Sequence, residues 1–346
     1  MATTVDKLTQ FSPGAGCGCK ISPKDLSQIL KECSSNFYDP NLLVGNSSND
    51  DAAIVDLGDG RGIISTTDFF TPIVDNPRNY GKISATNALS DIYAMGGTPL
   101  MAIAILSWPL DKLGPHLAAE VMGGAEEVCH SAGIALAGGH SISGSEPIFG
   151  LAVTGIVNIN EIKRNGSATA GSQLYITKPL GIGLVTTAEK FELARESDRL
   201  EALKLMTTLN RVGATLAKVS AVTAMTDVTG FGLLGHTLEM AEGSGLKCVI
   251  KYNSVPKIEG SDYYISKECI PGGTNRNFAS YGNKVSTITP IEKGLLCDPQ
   301  TSGGLLVAIE PHGEREAVEL ALKEGVVMTK IGEFQERSGD YFIEVV

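Results

Sequence analysis

The chain has 346 residues, 42% of them hydrophobic and 19% charged, which suits two folded domains and excludes a disordered chain. A formal net charge of −11 argues against general nucleic-acid affinity, which needs a basic footprint, yet leaves a nucleotide open because Mg²⁺ bridges carboxylates to phosphates. No apolar run reaches the roughly 18 residues of a membrane span. Met1–Gln10 lacks the basic-then-apolar build of a signal peptide, and the seven cysteines are odd in number and mostly dispersed. These features predict a reduced, cytoplasmic protein with no membrane or nucleic-acid partner.

Residues 1–24 are polar and glycine-rich without periodicity and predict a mobile arm. Asp25–Glu32 reads as a short helix, Gly62–Thr67 as a strand ending at Asp68, and Ser84–Met95 as a helix stopped by Gly96-Gly97. Leu100–Trp108 has the length of a buried strand. His116–Ala132 follows as a helix, Ile134–Ala137 as a short strand running into Gly138-Gly139-His140, and Phe149–Val157 as a strand. Asn158, Asn160, Asn165, Gly166 and Gly171 break the pattern and predict a boundary over 158–171. Beyond it come a strand at Gln173–Thr177, helices at Gly183–Lys190, Leu200–Lys218 and Phe231–Glu242, and a strand at Lys247–Tyr252. Residues 255–295 read as loop-rich, with strands at Gly304–Ile309 and Tyr341–Val346. The mixture predicts an α+β or α/β protein: an arm over 1–24, a domain over 25–157 and a second over 172–346.

The common phosphate-binding signatures are missing. There is no Gly-x-x-x-x-Gly-Lys-Ser/Thr, and the single Gly-x-Gly-x-x-Gly, Gly230–Gly235, has no clear strand before it. Carboxylates offer another device. Asp50-Asp51, Asp68, Asp91 and Asp227 mostly lie where apolar sequence meets a break. A buried unpaired aspartate is costly, and Mg²⁺ offsets that cost while binding phosphate oxygens. Each of the four also has a plain reading as a cap or turn residue, least so for Asp91 within a helix. Asn87 and Asp91 are spaced i, i+4 and share one helix face.

The densest local signal is Gly14-Ala15-Gly16-Cys17-Gly18-Cys19-Lys20. Thiolate is the reactive form of cysteine and a neighbouring cation favours it, so Lys20 suits Cys17, or it contacts ATP phosphates. Cys17-x-Cys19 lacks the usual zinc spacing. Gly138-Gly139-His140-Ser141 reads as a backbone nest for an anion, and Lys178–Gly183 as an anion-binding helix start or a simple turn.

Together with Asp39–Gly45, Ser65–Phe70, Ser90–Gly97, Thr226–His236 and Cys297–Gly304, these motifs closely resemble the selenophosphate synthetase (selenide, water dikinase) family over roughly residues 10–335. The aspartate and glycine motifs mark a wider superfamily with aminoimidazole-ribonucleotide synthetase. The Cys17 arm and Cys297-Asp298-Pro299-Gln300-Thr301-Ser302-Gly303-Gly304 single out the narrower family. The resemblance implies conversion of ATP, selenide and water to selenophosphate, AMP and phosphate. It implies an aminoimidazole-ribonucleotide-synthetase-like fold, a homodimer built through a shared β-barrel of N-terminal sheets, and a C-terminal α/β sandwich. It assigns Mg²⁺ to Asp51, Asp68, Asp91 and Asp227, with K⁺ as a further ion. It assigns ATP to Lys20, Ser48, Asn49, Asp50, Asp68, Asn87 and Asp91, and to Gly139, His140 and Ser141 reaching across from the partner subunit. Cys17, a position held by Cys or selenocysteine, and Lys20 are the implied catalytic pair, with a selenium-delivery protein as a further partner. Two other readings stand beside this one: another ATP enzyme of the superfamily, and a non-catalytic thiol carrier.

Overall fold

A computed structural model describes residues 7–11, 15–21, 23–32, 38–46 and 49–346. Ser48 therefore lies outside the described residues, as do the side chains of Cys17 and Cys19. The chain enters through α1 (Pro23–Glu32), β1 (Leu42–Val44), β2 (Ala53–Asp56), β3 (Arg61–Phe70), α2 (Pro77–Ala94), β4 (Thr98–Trp108), α3 (Pro115–Ser131), β5 (Ala135–Ser143) and β6 (Ile148–Asn158). The four strands before β5 and β6 join them in one sheet of order β1-β2-β3-β6-β4-β5. All pairs are antiparallel except β4–β5.

The second half contains β7 (Gln173–Ile176), α4 (Ile182–Lys190), α5 (Glu196–Met206), α6 (Val212–Leu216), β8 (Val222–Asp227), α7 (Gly232–Ser244) and β9 (Leu246–Ile250). It continues with α8 (Ser261–Ser266), α9 (Gly272–Tyr281), α10 (Pro290–Leu296), β10 (Leu305–Ile309), α11 (Glu314–Lys323), β11 (Thr329–Glu336) and β12 (Ile343–Val345). Its sheet runs β12-β9-β11-β7-β10-β8, mixed because β12 alone pairs in parallel.

Helix α2 is the joint between the halves. Asn76 caps it by accepting from the Asn79 N–H at 2.8 Å, and Pro77 starts it with a pre-set φ. It is buried nearly all round, as a helix enclosed by two layers must be, and it packs on β3, β6, α3 and the second half's β8, α5 and α6. It starts seven residues before the predicted Ser84, because Gly81 is a helix residue and not a break. A Cβ at Gly81 would overlap the Val121 carbonyl, and one at Gly124 the Arg78 carbonyl, so the α2–α3 crossing depends on both glycines.

Other predicted elements are redrawn. Leu200–Lys218 is not one helix but α5 and α6, separated at Thr207–Arg211. Residues 255–295 carry α8, α9 and α10, and the sequence reading missed β8, α11 and β11. Gly138-Gly139-His140-Ser141 is not a loop after a strand. It lies inside β5, with a bulge opposite Ala102–Ala104 that absorbs the positive φ of Gly138 and Gly139.

Candidate active site

Three elements aim carboxylates at one point. In β3 the inward set alternates with period two, so Ile64, Thr66, Asp68 and Phe70 face α2. In α2, Asn87 and Asp91 are one turn apart on the face that meets β3. In the second half, β8 ends on Thr226–Asp227, in register with Leu306 and Leu305 of β10. The loop before β2 brings in Asp51.

Ligand oxygens of Asp51, Asp91 and Asp227 all lie within 4.8 Å of one another. Asp51 and Asp91 are half-buried and Asp227 is buried. Hydroxyls orient them from behind: Thr66 Oγ1 donates to Asp91 Oδ2 at 2.6 Å, and Thr226 Oγ1 to Asp51 Oδ1 at 2.7 Å. Among the described residues, Asp51 Oδ2 and Asp227 Oδ2 are buried with no hydrogen-bond partner. Burial raises all three carboxyls above their ordinary range, and the charge of Asp227 pushes Asp51 and Asp91 further up. Converging, mutually repelling carboxylates with orphaned oxygens suit a hard divalent cation.

Asp68 stands beside this triad. Its Oδ2 accepts from Lys20 Nζ at 3.1 Å and from Asn87 Nδ2 at 2.7 Å. Asn87, fully buried, also accepts at Oδ1 from the Ser302 N–H at 2.8 Å. Ser302 has a left-handed φ of 53°. Buried Lys178 holds the other side of this residue, donating to the Ser302 carbonyl at 2.9 Å and to those of Thr208 and Leu205 at 2.7 and 3.1 Å.

The arm is docked over its described residues and not free. Gly16–Cys19 form a 3₁₀ turn, the Gly16 N–H donates to the Thr71 carbonyl at 3.0 Å, and Arg276 Nη2 donates to the Gly18 carbonyl at 2.9 Å. A Cβ on Gly16 would press on Thr301 and Ile73, so the Cys297–Gly304 segment forms part of the arm's seat. The same arm places Lys20 on Asp68.

A cavity of about 660 Å³ collects Lys20, Asn49, Asp50, Asp51, Thr66, Phe231 and Glu239 among its walls. Lys20, Asn49, Asp50, Asp51, Asp68, Asn87, Asp91 and Asp227 are thus gathered in one region. Gly139, His140 and Ser141 are not. They lie on the exposed edge strand β5 and line a different cavity, of about 390 Å³, with Met122, Glu126 and Leu136.

Two sequence readings change. A strand, β8, does lead to the Gly230–Gly235 glycines, but it pairs antiparallel with β10, so no βαβ dinucleotide unit exists there. The helix start after Lys178 is already occupied by a carboxyl group: Asp298 Oδ2 accepts from the Gly183 and Leu184 N–H groups at 3.0 and 3.3 Å. Thr66, Thr226, Asn165 and Ser302 were missed. Thr66 was detectable, since alternation in β3 puts it on the face of Asp68; Ser302 stood inside the Cys297–Gly304 motif, but its particular role depends on a fold-specific backbone turn.

Comparison with known proteins matches residues 49–157 to the AIR synthase related protein N-terminal domain and residues 169–344 to its C-terminal domain. The selenide, water dikinase of Pseudomonas putida is 57% identical over 340 residues, 98% of each chain. The selenide, water dikinase of Aeromonas hydrophila is 56% identical over 340 residues, 98% of this chain and 99% of the relative. Among solved structures, thiamine-monophosphate kinase from Stenotrophomonas maltophilia superposes with a TM-score of 0.65 at 18% identity, covering 92% of this chain and 95% of that one. A ThiL complexed with AMPPCP and TMP gives 0.66 at 19%, covering 94% and 93%. These two establish the shared two-sheet fold. With identity above half along nearly its whole length, the chain belongs to the selenide, water dikinase family.

Proposed function

We propose that the chain makes selenophosphate from ATP, selenide and water, releasing AMP and phosphate. The observation that carries this reading is the triad of Asp51, Asp91 and Asp227, drawn from both halves and left with unpartnered buried oxygens beside the Lys20–Asp68 pair. The family relationship supports the chemistry. Asp51, Asp91 and Asp227 would hold Mg²⁺, with Asp68 on the phosphate side of the same site. Bound Mg²⁺ neutralises triphosphate charge and lets an in-line phosphoryl transfer proceed.

The chain's own residues supply the rest. Lys20, seated on Asp68, places an ammonium where charge develops on the transferring phosphoryl group. Asn87 keeps Asp68 oriented. Ser48, Asn49 and Asp50 are assigned to the nucleotide. Hydroselenide is itself a strong nucleophile, so its protection matters more than a base; the arm excludes water and Cys17 handles selenium. Residues 1–24 act as the catalytic arm, 25–157 as the ATP and dimerisation domain, and 172–346 as the α/β domain.

A homodimer is part of this reading. Among the described residues, the outer face of the first sheet leaves Phe69, Met101 and Ile103 exposed at 49%, 46% and 43%. Gly139, His140 and Ser141 would then serve the partner's nucleotide. We place the protein in the cytoplasm with a selenium-delivering protein as further partner, and assign no K⁺ site. Among the described residues no helix is long and apolar enough to cross a membrane.

The test is ³¹P NMR of selenophosphate, with AMP release followed in parallel. Cys17→Ser should lose selenophosphate while retaining some ATP hydrolysis, and Asp51→Ala should lose both. Wild-type product formation by Cys17→Ser removes the selenium-handling role. AMP release that ignores selenide favours another ATP enzyme of the superfamily, and absence of Mg²⁺-dependent ATP binding favours a thiol carrier.

A further inference from the structure

The triad poses a mechanical problem. Asp51, Asp91 and Asp227 come from three elements in two halves, repel one another, and are not covalently joined nearby. Something has to fix their separation before any cation arrives. We infer that the connector between the two sheets, residues 163–165, is the pin that holds the three-carboxylate centre in register, with Asn165 and Lys163 as positioning residues. The inference rests on the metal assignment in the proposed function.

The connector touches the footing of each carboxylate. The Lys163 N–H donates to the Met95 carbonyl at 3.2 Å, four residues beyond Asp91. The Met225 N–H donates to the Arg164 carbonyl at 3.3 Å, two residues before Asp227. The Asn165 N–H donates to Asp50 Oδ1, and Asn165 Nδ2 to the Asn49 carbonyl, both at 2.8 Å, immediately before Asp51. Lys163 Nζ adds bonds to the carbonyls of Val222 at 2.7 Å and Val219 at 3.4 Å, where β8 begins. Arg164 Nη2 donates to the Leu43 carbonyl in β1 at 2.8 Å.

Both side chains are buried, Asn165 at 3% exposure and Lys163 at 7%. Neither touches the triad, so neither is a ligand. Asn165 also bonds the carbonyl of Asn49, whose left-handed φ of 49° is one that asparagine adopts more readily than most residues. A buried lysine whose ammonium is spent on carbonyl oxygens, with Glu161 acting on it only as a neighbouring charge, suits a tie between segments better than a catalytic base.

Mn²⁺ titration of the full-length protein, followed by EPR with and without a non-hydrolysable ATP analogue, tests this. Asn165→Ala should weaken Mn²⁺ binding about ten-fold, the size expected for losing one buried hydrogen bond that orients a ligand. The Mg²⁺ half-saturation for AMP formation should rise in parallel while the selenide half-saturation stays put. Asn165→Asp should weaken binding further by adding a charge beside Asp50. Lys163→Met, which keeps the apolar stem, should act in the same direction. Folded Asn165→Ala and Lys163→Met proteins that bind Mn²⁺ as tightly as wild type overturn the inference. Wild-type protein that binds no Mn²⁺ overturns the metal assignment instead, and the inference falls with it.

Discussion

Asn87 spans the site with a single amide: its NH₂ group orients Asp68, and its oxygen holds the Ser302 N–H at the turn beneath the arm. Asn87→Ala would leave a buried N–H and a partly released carboxylate. The expected loss is about 1–3 kcal/mol in urea unfolding, with a matching fall in kcat/KM for ATP. A second residue-scale prediction concerns pH. Burial pushes the Asp298 carboxyl up to about 8, partly opposed by Gln300 and the α4 N–H groups. The triad carboxyls are shifted the same way. A folded-state pKa above the unfolded one means the folded chain keeps protons that the unfolded chain releases, so stability falls as pH rises through that window. Burial lowers Lys178 to about 7, which acts in the opposite sense only above that value. Between pH 5 and 7, metal-free protein should therefore lose stability in urea, Asp298→Asn should flatten the decline, and added Mg²⁺ should remove the triad's share. Most of the site's acids stood out in the sequence because they lie where apolar sequence meets a break. Their separate fates were not, since only tertiary contacts give Asp68 to Lys20 and Asp298 to a helix start.

At the scale of elements, the α2–α3 crossing shows why parts of the fold escaped a reading by pattern. Gly81 looks like a helix breaker, yet it is there because α3 approaches too closely for a Cβ. Gly81→Ala should cost about 1–3 kcal/mol or more by overpacking, although alanine is the better helix former in isolation. Urea midpoints compared with a helical glycine control in α3, Gly123→Ala, where a Cβ would meet only the end of the Arg78 side chain, would check the size. Strands with clear runs, such as β3, β4 and β6, were legible because burial on one or both faces writes itself into the residues. The glycine pair inside β5 hid a strand, because the bulge that accommodates it is a property of the β4–β5 pairing and not of the segment. Short helices α8 to α10 lacked the length over which periodicity can be seen, and the α5–α6 break has neither proline nor glycine to announce it.

At the scale of the whole molecule, the proposed homodimer would divide each site between two chains. Asp51 and His140 line different cavities, and among the described residues Phe69, Met101 and Ile103 stay exposed on the first sheet. A two-fold interface on that face would bury the apolar patch and is isologous, so each subunit would lend His140 and Ser141 to the other. Ile103→Glu should then give monomers at micromolar concentration in analytical ultracentrifugation, since an unpaired charge inside such an interface is costly. Complementation separates shared sites from mere association. Asp51→Ala should be inactive alone, and His140→Ala weakly active. Coexpressed in one cell, half of the dimers are mixed, and each mixed dimer carries both defects at one site and none at the other. Roughly a quarter of wild-type activity should therefore return in the mixture. If each chain completes its own site, no mixing of these two variants can restore it, and activity stays at the average of the parents.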